Sequence, residues 1–371
     1  MSVALALVLC LAGSPAPQDT PTLTVDEHCT AFAYAPDGRI AYAVRHILTT
    51  RRLEIQRDDI WLVGRDGKRR RIVNGERLVQ GPTRYGGPAA FSYTIHSLRW
   101  SPGGTRMTVE LLTSEMIDQR GNTREGQLTL LLDENGKEIR VGSGDSVIAE
   151  STQAAWLADG ATVVYLKEAV EPKLLYAIHS VRPAAGRGGV LFADHVFAAA
   201  AWNPRQNAGV GIERERSLRG APRLVALDLL KETRRELATL EGYAGGLSIS
   251  PSGAKVAYFR DPEVLEVREV AVPERAARIH VAMGAYQWAA DENRILLKRG
   301  PERRSADLAW VSIPPVVAAN ANAARSGAAA EVALRPVLHG LSFRAFEVSP
   351  DGRSLAVIEP GKRNLLVYPV E

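Results

Sequence analysis

Between Phe346 and Ile358 the chain reads F-E-V-S-P-D-G-R-S-L-A-V-I. Phe346 and Val348 alternate with polar residues, which is the period of a strand with one buried face. Leu355, Val357 and Ile358 open a returning strand. The Ser-Pro-Asp-Gly between them is a turn for physical reasons. Pro350 fixes φ at the second turn position, Asp351 bonds nearby backbone, and Gly352 accepts the positive φ that follows. The stretch predicts a β-hairpin.

The same pattern runs from Phe32 to Val44 (F-A-Y-A-P-D-G-R-I-A-Y-A-V), around Ser101-Pro102-Gly103-Gly104, and around Ser250-Pro251-Ser252-Gly253. Weaker copies surround Ala158-Asp159-Gly160, Asn203-Pro204-Arg205 and Ala290-Asp291-Glu292. Aligned on the fourth turn residue, the copies fall at 38, 104, 160, 206, 253, 292 and 352. Their spacings scatter around the roughly 40–50 residues of a propeller blade. Each copy is followed by a third apolar run, for example Asp59–Gly64, Arg223–Leu229 and Asn364–Val370. The expected fold is an all-β propeller of seven four-stranded antiparallel blades, with six as the alternative, because the fourth and sixth turns lack glycine. The last unit stops after three strands, and Pro21–Val25 has no hairpin partner of its own. That N-terminal segment is expected to supply the missing strand and close the ring.

The hairpin motif resembles that of the TolB-like, WD-repeat-like propeller family, strictly at Ala35–Gly38 and Ser349–Gly352 and closely at Ser101–Gly104 and Ser250–Gly253. The resemblance covers residues 31–371. It implies a propeller without the α/β domain that precedes the propeller in TolB, for which the first hairpin, starting near residue 32, leaves no room. TolB also has six blades where seven are counted here. The propellers of prolyl-oligopeptidase-type enzymes look similar but continue into a hydrolase domain that is not seen here. Because the motif is a turn, it specifies architecture and not chemistry.

Residues 3–12 (V-A-L-A-L-V-L-C-L-A) form an apolar run too short to span a bilayer and placed where a signal-peptide core belongs. The domain reading is therefore an export segment at 1–19, expected to be removed, and one propeller over 20–371, with loop insertions at 78–96 and 314–331. Removal of the leader leaves Cys29 alone, so no disulfide framework is expected. The 46% apolar and 24% charged content is that of a globular protein. Of the 46 basic residues 38 are Arg, and the net charge is only +4, which points to a GC-rich genome more than to nucleic acid. The run Lys68-Arg69-Arg70-Arg71 lacks interleaved aromatics and reads as a solvated strand. The sequence holds no nucleophile elbow, phosphate loop, dinucleotide fingerprint or zinc motif. No catalytic residue, cofactor or metal is assigned.

Candidate binding residues follow from the repeat. Loops leading into the first strand of each blade ring one mouth of a propeller channel. His28, His96, Glu150, Asp194, His195, Tyr243, Tyr286 and Arg344 fall there, beside Glu27. Histidines in such places also fix loops within their own blade. Tyr85, Phe91 and Tyr93 on the Gly81–Tyr93 loop are candidate partner contacts or, equally, the cover of a blade edge. Trp100, Trp156, Trp202 and Trp288 recur just before the turns and are expected to pack between blades. The leading reading is a non-catalytic, exported, monomeric bacterial protein that binds a protein partner in the cell envelope. It would be periplasmic or secreted, without a membrane span after leader removal. The alternatives are a hydrolase or lyase acting on glycan or peptide with Glu150 and His195 as acid and base, and a small-ligand sensor.

Overall fold

A computed structural model describes residues 20–49, 54–76, 90–116, 123–144, 146–242, 244–299, 306–318, 334–341 and 345–370. After β1 (Leu23–Val25), the strands follow one another in four-stranded antiparallel units. The first unit holds β2 (Cys29–Tyr34), β3 (Ile40–Thr49), β4 (Glu54–Val63) and β5 (Arg69–Val73). The second holds β6 (Ala90–Trp100), β7 (Arg106–Met116), β8 (Thr123–Asp133) and β9 (Val147–Ala149). The third holds β10 (Ser151–Trp156), β11 (Val163–Glu168), β12 (Tyr176–Arg182) and β13 (Arg187–Leu191). It joins the fourth through the single pair Tyr176↔Phe197. The fourth unit is β14 (Val196–Asn203), β15 (Ala208–Arg214), β16 (Arg223–Asp228) and β17 (Thr233–Thr239).

The fifth unit is β18 (Gly245–Ile249), β19 (Lys255–Asp261), β20 (Val264–Glu269) and β21 (Arg275–His280). Next come β22 (Tyr286–Trp288), β23 (Arg294–Arg299) and β24 (Ala306–Ser312). From there β25 (Val317–Ala318) crosses to β21, and β26 (Leu334–Leu341) completes the sheet begun by β22. The last unit is β27 (Ala345–Val348), β28 (Ser354–Ile358) and β29 (Leu365–Pro369), with β1 as its fourth strand. The register is Leu23↔Val367 to Val25↔Leu365.

The turns explain the hairpins. Gly352 sits at φ 72°, a region closed to most side chains, and the Asp351 carboxylate accepts the Arg353 N–H at 3.1 Å. Where glycine is missing, other residues take the left-handed position. Glu292 does so at φ 55° and Asn207 at φ 51°. The fourth turn is thus one residue longer than its alignment on Gln206, because Pro204–Gln206 form a 3-10 turn before Asn207.

The core lies between neighbouring units. Trp156 is fully buried against Leu131 and Ile148 of the preceding unit. Trp100 packs on Ala31, Ala33 and Ala35 and donates its Nε1–H to the Ala33 carbonyl at 3.2 Å. Trp202 donates to the Gln153 carbonyl at 2.7 Å and Trp288 to Ser248 Oγ at 3.0 Å. Each indole therefore reaches back one unit. The last unit meets the first in the same way: Val25, Cys29, Phe32 and Tyr42 pack with Ala356, Ile358, Leu365 and Val367.

Two expectations about the connections change. The 78–96 insertion is shorter than expected, since β6 already begins at Ala90, paired along β7. Tyr93 is consequently a buried strand residue, 3% exposed, because its side of β6 faces the apolar layer of Ile60, Ile95 and Leu111. Most of the 314–331 insertion and all of residues 1–19 lie outside the described residues. Among the described residues no helix is long and apolar enough to cross a membrane.

Candidate functional site

The first strands of several units, with the turns that follow them, line one central cavity of about 420 Å³. Its walls include Ala33 and Pro36, Arg99 and Pro102, Pro204 and Arg205, Gln287, and Glu347 and Pro350. A neighbouring cavity of about 430 Å³ shares Pro204, Arg205, Gln287, Val348 and Pro350 and adds Ser248, Pro251 and Tyr286. Walls drawn from the first, second, fourth, sixth and last units place these first strands innermost.

One register position decides what this channel presents. The residue two before the turn's first residue is Ala33, Arg99, Ala155, Ala201, Ser248, Gln287 or Glu347 in successive units. The polar members reach to the next innermost strand. Gln287 Oε1 accepts the Val348 N–H at 2.8 Å, Glu347 Oε2 accepts the Tyr34 N–H at 3.2 Å, and Arg99 Nη1 donates to the Gln153 carbonyl at 3.4 Å. An innermost strand has a free edge, and these side chains satisfy backbone groups along it. Glu347 does so at an electrostatic cost. Burial pushes its carboxyl up to about 7, although the Tyr34 N–H and the Arg99 charge both favour the ionised form.

The residues expected at the channel mouth do not converge. Glu150 is exposed at φ 54° and is paired with Lys167 Nζ at 2.9 Å, whose hydrogen bond and charge hold its carboxyl below the ordinary range. His195 is held by Glu213, Nδ1 to Oε1 at 2.9 Å, and by Arg234 Nε at 3.1 Å on its other nitrogen. With the Arg234 N–H aimed at Nε2, the imidazole proton belongs on Nδ1. Glu150 is thus committed to Lys167, and His195 to Glu213 and Arg234, in separate units. His28 is half-buried, its carbonyl accepting the Arg45 N–H. His96 is exposed at the bulge between Ile95 and Ser97, and Asp194 is exposed. Glu27 pairs with Arg69 at 3.1 Å. Tyr286 lines the second cavity, its hydroxyl within hydrogen-bond reach of the Gly246 and Ala257 carbonyls. Burial raises its phenol. Tyr243, Arg344 and Tyr85 lie outside the described residues, as does the side chain of Phe91.

Buried acids recur farther out, each clamped by cations of its own unit. Glu213 meets Arg223 and Arg234 at 3.2 and 3.1 Å. Glu266 meets Arg268, Arg278 at 3.0 Å, and the Tyr258 hydroxyl at 2.6 Å. Asp58 takes Arg45 at 3.0 Å and the Ile95 N–H at 2.6 Å, tying the first unit to the second. These clamps belong to the architecture.

The outer loops are different. In each antiparallel unit the second-to-third-strand turn and the link to the next unit lie at one end, opposite the Ser-Pro-x-Gly turns. Along that end stand Ile47 and Leu48 of the first unit, Leu112 of the second, Val170 and Leu174 of the third, and Leu218 of the fourth. Val170 is 92% and Leu174 83% exposed. The opposite end shows Leu230 and Val272. Between the second and third units this face also holds a groove of about 840 Å³, lined by Arg124–Gln127, Glu150–Thr152, Lys167–Val170, Lys173 and Tyr176.

No family model and no curated protein sequence matches the chain. Solved structures do resemble it in fold. A chain in the crystal structure of the Mitotic Checkpoint Complex gives a TM-score of 0.58 at 13% identity, with 100% of this chain and 99% of that chain covered. The Cps50 (Swd1) β-propeller domain of Myceliophteria thermophila gives 0.55 at 13% identity, with 94% and 100% covered. With the four-stranded antiparallel units, these likenesses make the protein an all-β, WD-repeat-like propeller. At such identity they speak for the fold alone.

Proposed function

We propose that this is a non-catalytic docking propeller, a protein-binding or scaffold module that receives a partner on the face carrying Val170 and Leu174. The observation that carries the reading is the run of solvent-facing apolar side chains on the strand ends and loops at one end of four consecutive units. Single exposed apolar residues are ordinary, but several on one face mark contact surfaces. The dispersal of His28, His96, Glu150, Asp194 and His195, with Glu150 paired to Lys167 and His195 hydrogen-bonded to Glu213 and Arg234, supports binding over acid–base chemistry.

The proposal extends to seven blades closed by β1, supported by the β1–β29 ladder and by the core shared between the first and last units. It extends also to a TolB-like, monomeric protein exported to the bacterial periplasm or cell surface, supported by the hairpin motif and by the apolar run at 3–12. Chemical crosslinking in the native cell envelope tests the function. The wild type is expected to capture an envelope protein, and a Val170→Asp, Leu174→Asp double variant with unchanged melting temperature is expected to lose it. Undiminished capture by the double variant, or recovery of cytoplasmic proteins only, contradicts the reading.

A further inference from the structure

The groove between the second and third units has a wall of backbone with no strand beside it among the described residues. β8 is paired with β7 along its whole length, from Thr123↔Met116 to Asp133↔Arg106. On its other side β9 covers only Leu128, Thr129 and Leu130. The last bond on that side is the Glu150 N–H to the Gln127 carbonyl at 2.9 Å, and Leu131 donates to the Ser146 carbonyl at 2.9 Å on the same side. Odd-numbered residues of β8 therefore turn their backbone groups outward. By that alternation Thr123 and Glu125 present an N–H and a C=O each into the groove, with no strand beside them among the described residues. Side chains contribute little selectivity by charge, since Arg124, Lys167 and Lys173 face Glu125, Glu150 and Glu168 in equal number. Val170 and the Tyr176 ring supply apolar surface on the far wall.

We propose that an extended segment of the partner polypeptide adds to the Thr123–Gln127 edge of β8 as a further strand. Its main chain pairs with Thr123 and Glu125, and apolar side chains at alternate positions rest against Val170 and Tyr176. The chemistry that selects this occupant is a row of main-chain donors and acceptors without a strand partner among the described residues, beside an electrically balanced, partly apolar wall. The inference rests on the docking reading above and names its mode of contact.

The decisive variant is Glu125→Pro. The Glu125 N–H takes no part in the β7 ladder, so proline removes only the outward donor and blocks strand addition at an edge where proline is tolerated. Glu125→Ala removes the charge and keeps the donor. Short random peptides displayed on phage are selected on the full-length protein and then titrated. Selected peptides are expected to bind wild type and Glu125→Ala alike, to bind Glu125→Pro about tenfold more weakly or worse, and to slow amide exchange at Glu125. Selection of no peptide, or of peptides that bind Glu125→Pro equally well, overturns the proposal. So does a dimer in light scattering that Glu125→Pro dissolves, because the edge would then serve a second copy. If envelope capture survives Glu125→Pro but is lost in the Val170→Asp, Leu174→Asp variant, the docking face stands and strand addition falls.

Discussion

The Glu347 carboxylate accepts the Tyr34 backbone N–H at 3.2 Å, joining the last unit to the first across 313 residues of sequence. Because burial pushes this carboxyl up to about 7 from an ordinary 4.5, the folded protein holds its proton where the unfolded chain has released it. The sign follows from linkage: Glu347 lowers stability as pH rises from about 4.5 through 7. Glu347→Gln keeps an acceptor and does not ionise. The variant is expected to gain up to about 3 kcal/mol over wild type across that window, read as the difference between urea unfolding curves at pH 4.5 and 8. Curves that shift in parallel at both pH values contradict it.

Glu266 has the opposite sign. Burial alone would raise its carboxyl, but the Arg268 charge and hydrogen bonds from Tyr258, Arg268 and Arg278 outweigh burial and leave it lowered. Its contribution is therefore present above the ordinary carboxylate pKa and lost as pH falls through the folded value. Glu266→Gln strands buried guanidinium charge and is expected to cost about 3 kcal/mol or more at pH 7, a deficit that shrinks in acid. An unchanged denaturation midpoint at pH 7 would show that the clamp adds nothing.

Trp156 is fully buried with the Arg106 guanidinium 4.8 Å from its ring centroid, whereas Trp202 is only half-buried. Trp156→Ala is expected to lose about 3–5 kcal/mol, and Trp202→Ala clearly less. Equal losses in thermal unfolding would mean that burial does not rank the two positions.

The β1 segment tests how the chain ends are joined. Thr22 and Val25 belong to the seam with β29, the Thr22 N–H meeting the Val367 carbonyl at 2.7 Å. Deleting residues 20–26 exposes the outer edge of the last unit and is expected to abolish the single sharp transition in calorimetry. A truncated protein that melts as sharply as the parent removes β1 from the closure.

Sequence carried the architecture because the hairpin turn is local chemistry. Proline, aspartate and glycine at Pro350, Asp351 and Gly352 act within four residues, and the indoles before the turns repeat in step with them. The pairing of Pro21–Val25 with the C-terminal strand was likewise legible, from one strand too many at one end and one too few at the other. The channel wall was not. Glu347 stands inside the hairpin motif and looks like any polar residue on an alternating strand. Its role depends on Tyr34, which lies 313 residues away in sequence and meets it only in the folded chain. Comparing Arg99, Gln287 and Glu347 at one repeat position would have been the available signal. Tyr93 misled for a related reason: Gly and Pro at 81–88 suggested a loop running through it, while pairing with β7 draws Ala90 onward into a strand.

The proposed docking requires the face that carries Leu174. A photo-reactive amino acid placed at Leu174, and separately at Val272 on the opposite face, reads this directly in the protein's native cells. Discrete protein adducts are predicted from position 174 and none from 272. Adducts of equal yield from both positions, or from 272 alone, would contradict it.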